Sequence, residues 1–117
     1  FEMSDLNIIT LVGEVASDVK SGITKNNKPY ASFKLLSKGY RDLYIQVSCF
    51  GEVAEFAMNL TKGERIYVEG ELQRNVFEKN GSKVANYSIL ANIIDLEDNV
   101  GFLGQQKRLN NVELEDI

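Results

Sequence analysis

Tyr30, Tyr44, Phe50 and Phe77 fall on strand faces that should meet water, and Tyr40 stands just past one of those strands. In "LYIQVSCF", 43–50, alternation puts Ile45, Val47 and Cys49 on the apolar side and Tyr44, Gln46, Ser48 and Phe50 on the other. In "YASFKLLSK", 30–38, Ala31, Phe33 and Leu35 read as core. Tyr30, Ser32, Lys34, Leu36 and Lys38 oppose them, and Tyr40 follows. In "KGERIYVEGELQRNVF", 62–77, Ile66, Val68 and Leu72 face the core and Phe77 faces out, an assignment that a bulge at Gly70 would reverse. Flat rings interleaved with cations suit single-stranded nucleic acid. Bases stack on rings for about 1–3 kcal/mol each, and cations follow the phosphates. Stacking ignores base identity, so such binding is weakly sequence-specific. The same pattern also fits a subunit interface, which favours aromatics, or an ordinary surface with Tyr30 and Tyr40 at its rim. The residue pattern leaves these readings open.

Other chemistry is poorly provided for. The chain has no histidine, hence neither the commonest general base nor the commonest metal ligand. One cysteine without histidine makes no structural zinc site. No phosphate-binding glycine loop or nucleophile elbow is present. The expectation is a non-catalytic binding protein without cofactor or metal. Cys49, being alone, forms no internal disulfide and points to a reducing, cytoplasmic location. No apolar run is long enough for a membrane span.

The net charge of −4 is unevenly distributed. Acids concentrate in residues 1–6 and 95–117, and residues 7–94 hold eleven Lys and Arg against nine acids. On charge alone this mildly basic body is an ordinary solvated surface.

With 117 residues and 44% hydrophobic content, one domain is expected. Residues 1–6 read as an N-terminal extension with Met3 the expected native start, 7–103 as the domain, and 104–117 as a short acidic tail. Five strands are expected: "NIITLVGEV" at 7–15 with a bulge or bend at Gly13, then about 30–38, 43–50, the 62–77 stretch, and 84–96. "SGITKNNKP", 21–29, reads as a polar loop. "GEVAEFAMNLTKG", 51–63, carries Val53, Phe56, Ala57 and Leu60 at helical spacing, with Gly63 placed to end the helix. "EKNGSK", 78–83, holds an Asn-Gly hairpin signal. Three strands, a helix and a hairpin predict an all-β, five-stranded OB-fold barrel with its helix between the third and fourth strands. A ubiquitin-like roll or SH3-like barrel is the competitor, and the helix position favours the OB-fold.

At these residues the chain resembles the bacterial single-stranded DNA-binding protein (SSB) family. "NIITLVGEV" is similar to the family's opening strand. "VSCFGEVAEFAMNLTKGERIYVEGELQ" is similar to its long signature of Phe-Gly, helix, Lys-Gly and Glu-Gly. The likeness runs over about 6–103. It implies stacking aromatics at Tyr40, Tyr44, Phe50 and Phe77, three of which are often Trp in the family, and a basic residue at Arg41. With the basic surface it implies phosphate contacts from Lys34, Lys38, Arg41 and Arg74.

Gln46, Gln73, Asn75 and Val76 stand where better-known members often carry Arg or Lys, which implies weaker binding, a shallow salt dependence and a specialised or mobile-element role. The short 38–43 loop implies a reduced site size. The resemblance further implies a homotetramer, or a dimer, paired through the first strand, whose outward row is Ile8, Thr10 and Val12. The tail "ELEDI" lacks the family's linker and aromatic tip, leaving recruitment of replication and repair proteins a minor expectation.

Three functions are therefore compared. The first is protection of single-stranded DNA in replication, recombination and repair. The second is a primosomal-type OB dimer working through protein partners. The third is an RNA-binding OB domain, since nothing here marks 2′-hydroxyl recognition.

Overall fold

A computed structural model of the chain describes residues 4–100. The tail at 104–117, with its acidic end, and the first three residues of the extension lie outside them.

The strands are β1 (Ile9–Val15), β2 (Lys20–Ile23), β3 (Pro29–Ser37), β4 (Leu43–Phe50), β5 (Arg65–Lys79) and β6 (Ser82–Leu96), with helix α1 (Glu52–Ala57) between β4 and β5. Along the sheet they run β1-β5-β6-β4-β3-β2, and a further β1–β3 pairing closes five of them into a ring. Closure rests on two residue pairs, Glu14↔Leu36 and Val15↔Leu35. A five-stranded ring with the helix before the last hairpin is the expected OB-fold.

The core follows the alternation. Ala31, Phe33, Leu35, Ile45, Val47, Cys49, Ile66 and Val68 are buried, joined by Ile89, Ala91 and Ile94 from β6. Helix α1 contributes Ala54 and Ala57 to the core, and Leu60, just beyond the helix, joins them.

Several expectations need correction. The expected polar loop at 21–29 overlaps β2, whose Lys20–Ile23 pairs with β3 in register Lys20↔Ser32 to Ile23↔Pro29. The helix is shorter than 51–63. Beyond Ala57 the backbone tightens into turns, with Asn59 donating to the Phe56 carbonyl and Leu60 to that of Ala57, because Asn and Thr favour local turns over helix. Phe56 is 38% exposed, and Ala54 takes its place against the core. Gly13 forms no bulge, since β1 pairs with β5 without interruption. A Cβ there would run into the Leu36 carbonyl, so the glycine permits a close backbone approach. Leu36, on the polar side of the alternation, is nevertheless buried.

Leu72, expected in the core, is 40% exposed. The β5–β6 ribbon outruns the barrel: from Glu71 to the Asn80-Gly81 turn no β5 residue is buried. Alternation sets the side, but nothing lies beneath that side once the barrel has ended.

The buried Cys49 yields a pH prediction. Burial pushes its thiol from 9.0 up to about 11. A pKa raised in the folded state gives stability that is complete below pH 9 and lost as pH rises through about 11. Urea unfolding at pH 8 and pH 11.5 is expected to show wild type losing about 2–3 kcal/mol more than Cys49→Ala over that interval. An equal loss in both proteins would contradict this assignment.

Candidate functional site

The hairpin turn sets the geometry of the site. Asn80 and Gly81 both adopt positive φ, 53° and 81°, as a two-residue hairpin turn requires. The turn pairs Lys79 with Ser82 and so places Phe77 opposite Val84, Asn75 opposite Asn86, and Gln73 opposite Ser88. One irregularity interrupts the ladder between Glu69 and Gly70. There Glu69 faces Ile93 and Gly70 faces Ala91, so the extra residue is Asn92 on β6. Because the bulge lies on β6, β5 keeps its alternation and Phe77 stays on the outer side. Asn7 holds β5 where it leaves the barrel: its Nδ2 donates to the Leu72 carbonyl at 2.9 Å and its Oδ1 accepts from the Leu72 N–H at 3.1 Å.

The outer faces of β4, β5 and β6 meet in an open groove of about 450 Å³ lined by Gln46, Ser48, Phe50, Gln73, Asn75 and Phe77 from β4 and β5, with Asn86, Ser88 and Leu90 from β6. Phe50 and Phe77, each 44% exposed, thus come from different strands to one concavity. Phe50 also packs against Tyr30, with ring centroids 6.5 Å apart at 42°. Between the rings the lining is neutral and hydrogen-bonding. Asn75 Nδ2 donates to Ser88 Oγ at 3.0 Å, which fixes that carboxamide.

The other expected residues are distributed more widely. Tyr44 (61% exposed) lies on the same face of β4, about 20 Å along the strand from Phe50. Tyr40 (69%) sits in the β3–β4 turn with the Arg41 guanidinium 5.9 Å from its ring centroid. Lys34 stands beside Gln46 in the β3–β4 ladder and thus on the groove side. Lys38 Nζ lies 3.8 Å from Glu14, so part of its charge is already answered. Arg74 alternates with Gln73 and Asn75 and therefore takes the opposite face of the ribbon from Phe77, near Leu72, Val76 and Tyr87. Asn86, Ser88 and Leu90 are lining residues that no motif or alternation in the sequence singles out. Yet the two-residue turn alone places Asn86 and Ser88 opposite Asn75 and Gln73. Among the described residues no group of three or more Cys, Asp or Glu could hold a metal ion, and no helix is long and apolar enough to cross a membrane.

An OB barrel with aromatic side chains converging on the open face of its sheet defines a class of binding domain. Residues 6–103 match the model of the Single-strand binding protein family, and the chain belongs to that family. It is 35% identical over 72 residues, 57% of this chain and 43% of the relative, to a single-stranded DNA-binding protein of Mycoplasma pneumoniae. To one from Fusobacterium nucleatum it is 24% identical over 101 residues, 77% of this chain and 66% of the relative. The chain thus spans less than two thirds of the length of either. The crystal structure of a small single-stranded DNA-binding protein from Streptomyces coelicolor superposes with a TM-score of 0.72 at 22% identity. That match covers 85% of this chain and all of the other, and it supports the fold.

Proposed function

We propose that this protein binds and protects single-stranded DNA without catalysis, in the service of replication, recombination or repair. The observation that carries this reading is the convergence of Phe50 and Phe77, from separate strands, on one groove floored by neutral polar side chains. Tyr44 extends the same face, and Tyr40 with Arg41 supplies a platform and a cation at its far end. Lys34 stands beside Gln46 at the edge of the groove. Lys38, beside Glu14, and Arg74, behind the ribbon, contribute less.

The balance of forces predicts the salt response. Each phosphate neutralised on a single strand contributes about −0.7 to the slope of log K against log salt, whereas stacking contributes almost none. Labelled oligo-dT followed by anisotropy across a salt series is expected to bind with a slope shallower than about −3, equivalent to roughly four phosphate contacts. Absence of binding at low salt would sink the reading and favour the primosomal-type alternative. Competition with a matched RNA oligonucleotide tests the RNA-binding alternative.

A homo-oligomer accompanies this proposal. On the side away from β5, β1 pairs with β3 only through Glu14 and Val15, which leaves most of that edge unpaired. Ile8 (64% exposed) and Ile93 (46%) lie on the neighbouring outer face. An open edge beside apolar residues favours pairing with a second copy. A tetramer would let one DNA strand engage several grooves. A cytoplasmic setting fits the lone buried thiol.

A further inference from the structure

Two lateral rows of side chains cross the sheet. One runs Lys34, Gln46, Ser88, Gln73, and its neighbour runs Lys20, Ser32, Ser48, Leu90, Glu71. Both rows pass through the aromatic groove and end, on the side away from the β5–β6 ribbon, in lysine. Lys20 is opposite Ser32 and Lys34 is two residues further along β3, a diagonal relation that sets side chains about 7–8 Å apart at their bases. Between them opens a second hollow of about 380 Å³, lined by Ser17, Asp18, Lys20, Ser32, Phe33, Lys34 and Gln46. Gln46 lines both hollows, so they adjoin at its side chain.

We infer that Lys20 and Lys34 form a phosphate-binding subsite, and that it receives a phosphodiester of the strand whose bases stack between Phe50 and Phe77. The inference rests on the function proposed above. Two mobile ammonium groups that flank one hollow suit a single tetrahedral anion, which accepts from both. Among the described residues neither Lys20 nor Lys34 is in an ion pair, unlike Lys38 beside Glu14. The rim of the hollow is fixed: the Lys34 backbone N–H donates to Ser17 Oγ at 2.8 Å, and that hydroxyl donates to the Asp18 carbonyl at 3.1 Å. Asp18 is the one acid in the lining and opposes the anion, so it tempers the subsite. From β5 to β2 the track crosses four strand spacings, about 19 Å. The bound strand therefore runs across the sheet, its bases toward the ribbon and a phosphate toward β2.

The test is the salt dependence of oligo-dT binding by the full chain. The double variant Lys20→Ala/Lys34→Ala should flatten the slope by about 0.7, the share of one phosphate, so that the affinity lost between 50 and 200 mM salt shrinks about 2.6-fold, and each single variant should flatten it by part of that. Lys20→Arg should restore the wild-type slope, and Lys62→Ala, outside both hollows, should leave it unchanged. Asp18→Asn should tighten binding several-fold at low salt. An unchanged slope in Lys20→Ala, with Phe50→Ala still weakening binding, overturns the subsite and leaves the wider function standing. Failure of wild type to bind at all overturns both. Free dTMP, which offers a phosphate without a chain across the groove, should not displace the oligonucleotide at millimolar concentration. Displacement from wild type but not from Lys20→Ala would assign the hollow to a free nucleotide and overturn the strand path.

Discussion

Gly70→Ala is expected to destabilise the fold by about 3 kcal/mol, lowering the melting temperature by roughly 10 °C or more. A Cβ at Gly70 would collide with the Leu90 carbonyl oxygen and would lie 2.8 Å from its carbon and 2.9 Å from the Ala91 Cα. All three are backbone atoms of β6, so no rotamer change relieves the overlap. Gly70 is also buried, and it sits at the irregularity that sets the β5–β6 register. Separating the strands to admit a methyl group would disturb the ladder that carries Phe77. Gly81→Ala is the informative contrast. Its φ of 81° disfavours a side chain, but nothing lies within 4 Å of the added carbon. The cost there should be about 1 kcal/mol, all of it conformational. Thermal melts of the two variants decide the matter, and equal losses would refute the steric account of Gly70.

The second large effect concerns binding. Phe50→Ala and Phe77→Ala should each weaken oligo-dT binding by about 1–3 kcal/mol, or roughly 5- to 150-fold. If each ring takes its own base, the double variant should lose the product of the two factors. The slope against salt should stay at its wild-type value, because a lost ring releases no counterions. Stability should change little for Phe77, which pairs with Val84 on the projecting ribbon. Phe50→Ala also removes the contact with Tyr30, so its melting temperature must be measured alongside. Oligo-dT titrations of the single and double variants decide the outcome. Wild-type affinity in the double variant would remove both rings from the binding surface.

Much of this architecture was legible because it is written locally. Alternation in 43–50 and 30–38 located the β4 and β3 core rows, and the Asn-Gly pair located the hairpin. Phe77 lies on the side its alternation predicts because β5 is not itself bulged. The misses share a cause: each depends on what lies across space from a residue. Leu72 has an apolar pattern, but the barrel ends before reaching it. Phe56 has helical spacing, but Ala54 is small enough to sit closer to the core. Strand β2 was hidden in a run of turn residues, since pairing with β3 rather than intrinsic propensity makes it a strand. Arg74 is a different case, since its even spacing from Leu72 and Val76 by itself puts it behind the ribbon, on the face away from Phe77.

The ring of strands also bears on how the chain is made. Ile9 pairs with Gly70 and Glu14 with Arg65, so β1 acquires its principal neighbour only after roughly 60 further residues have been added. At about 5–20 residues per second, that is an interval of roughly 3–12 s on the ribosome. Throughout it the "ITLV" segment stands unpaired, a short β-prone stretch of the kind that nucleates aggregation. Synthesis at reduced temperature lengthens this exposure and weakens hydrophobic association at the same time. Yield of the nascent chain therefore depends on two opposing clocks.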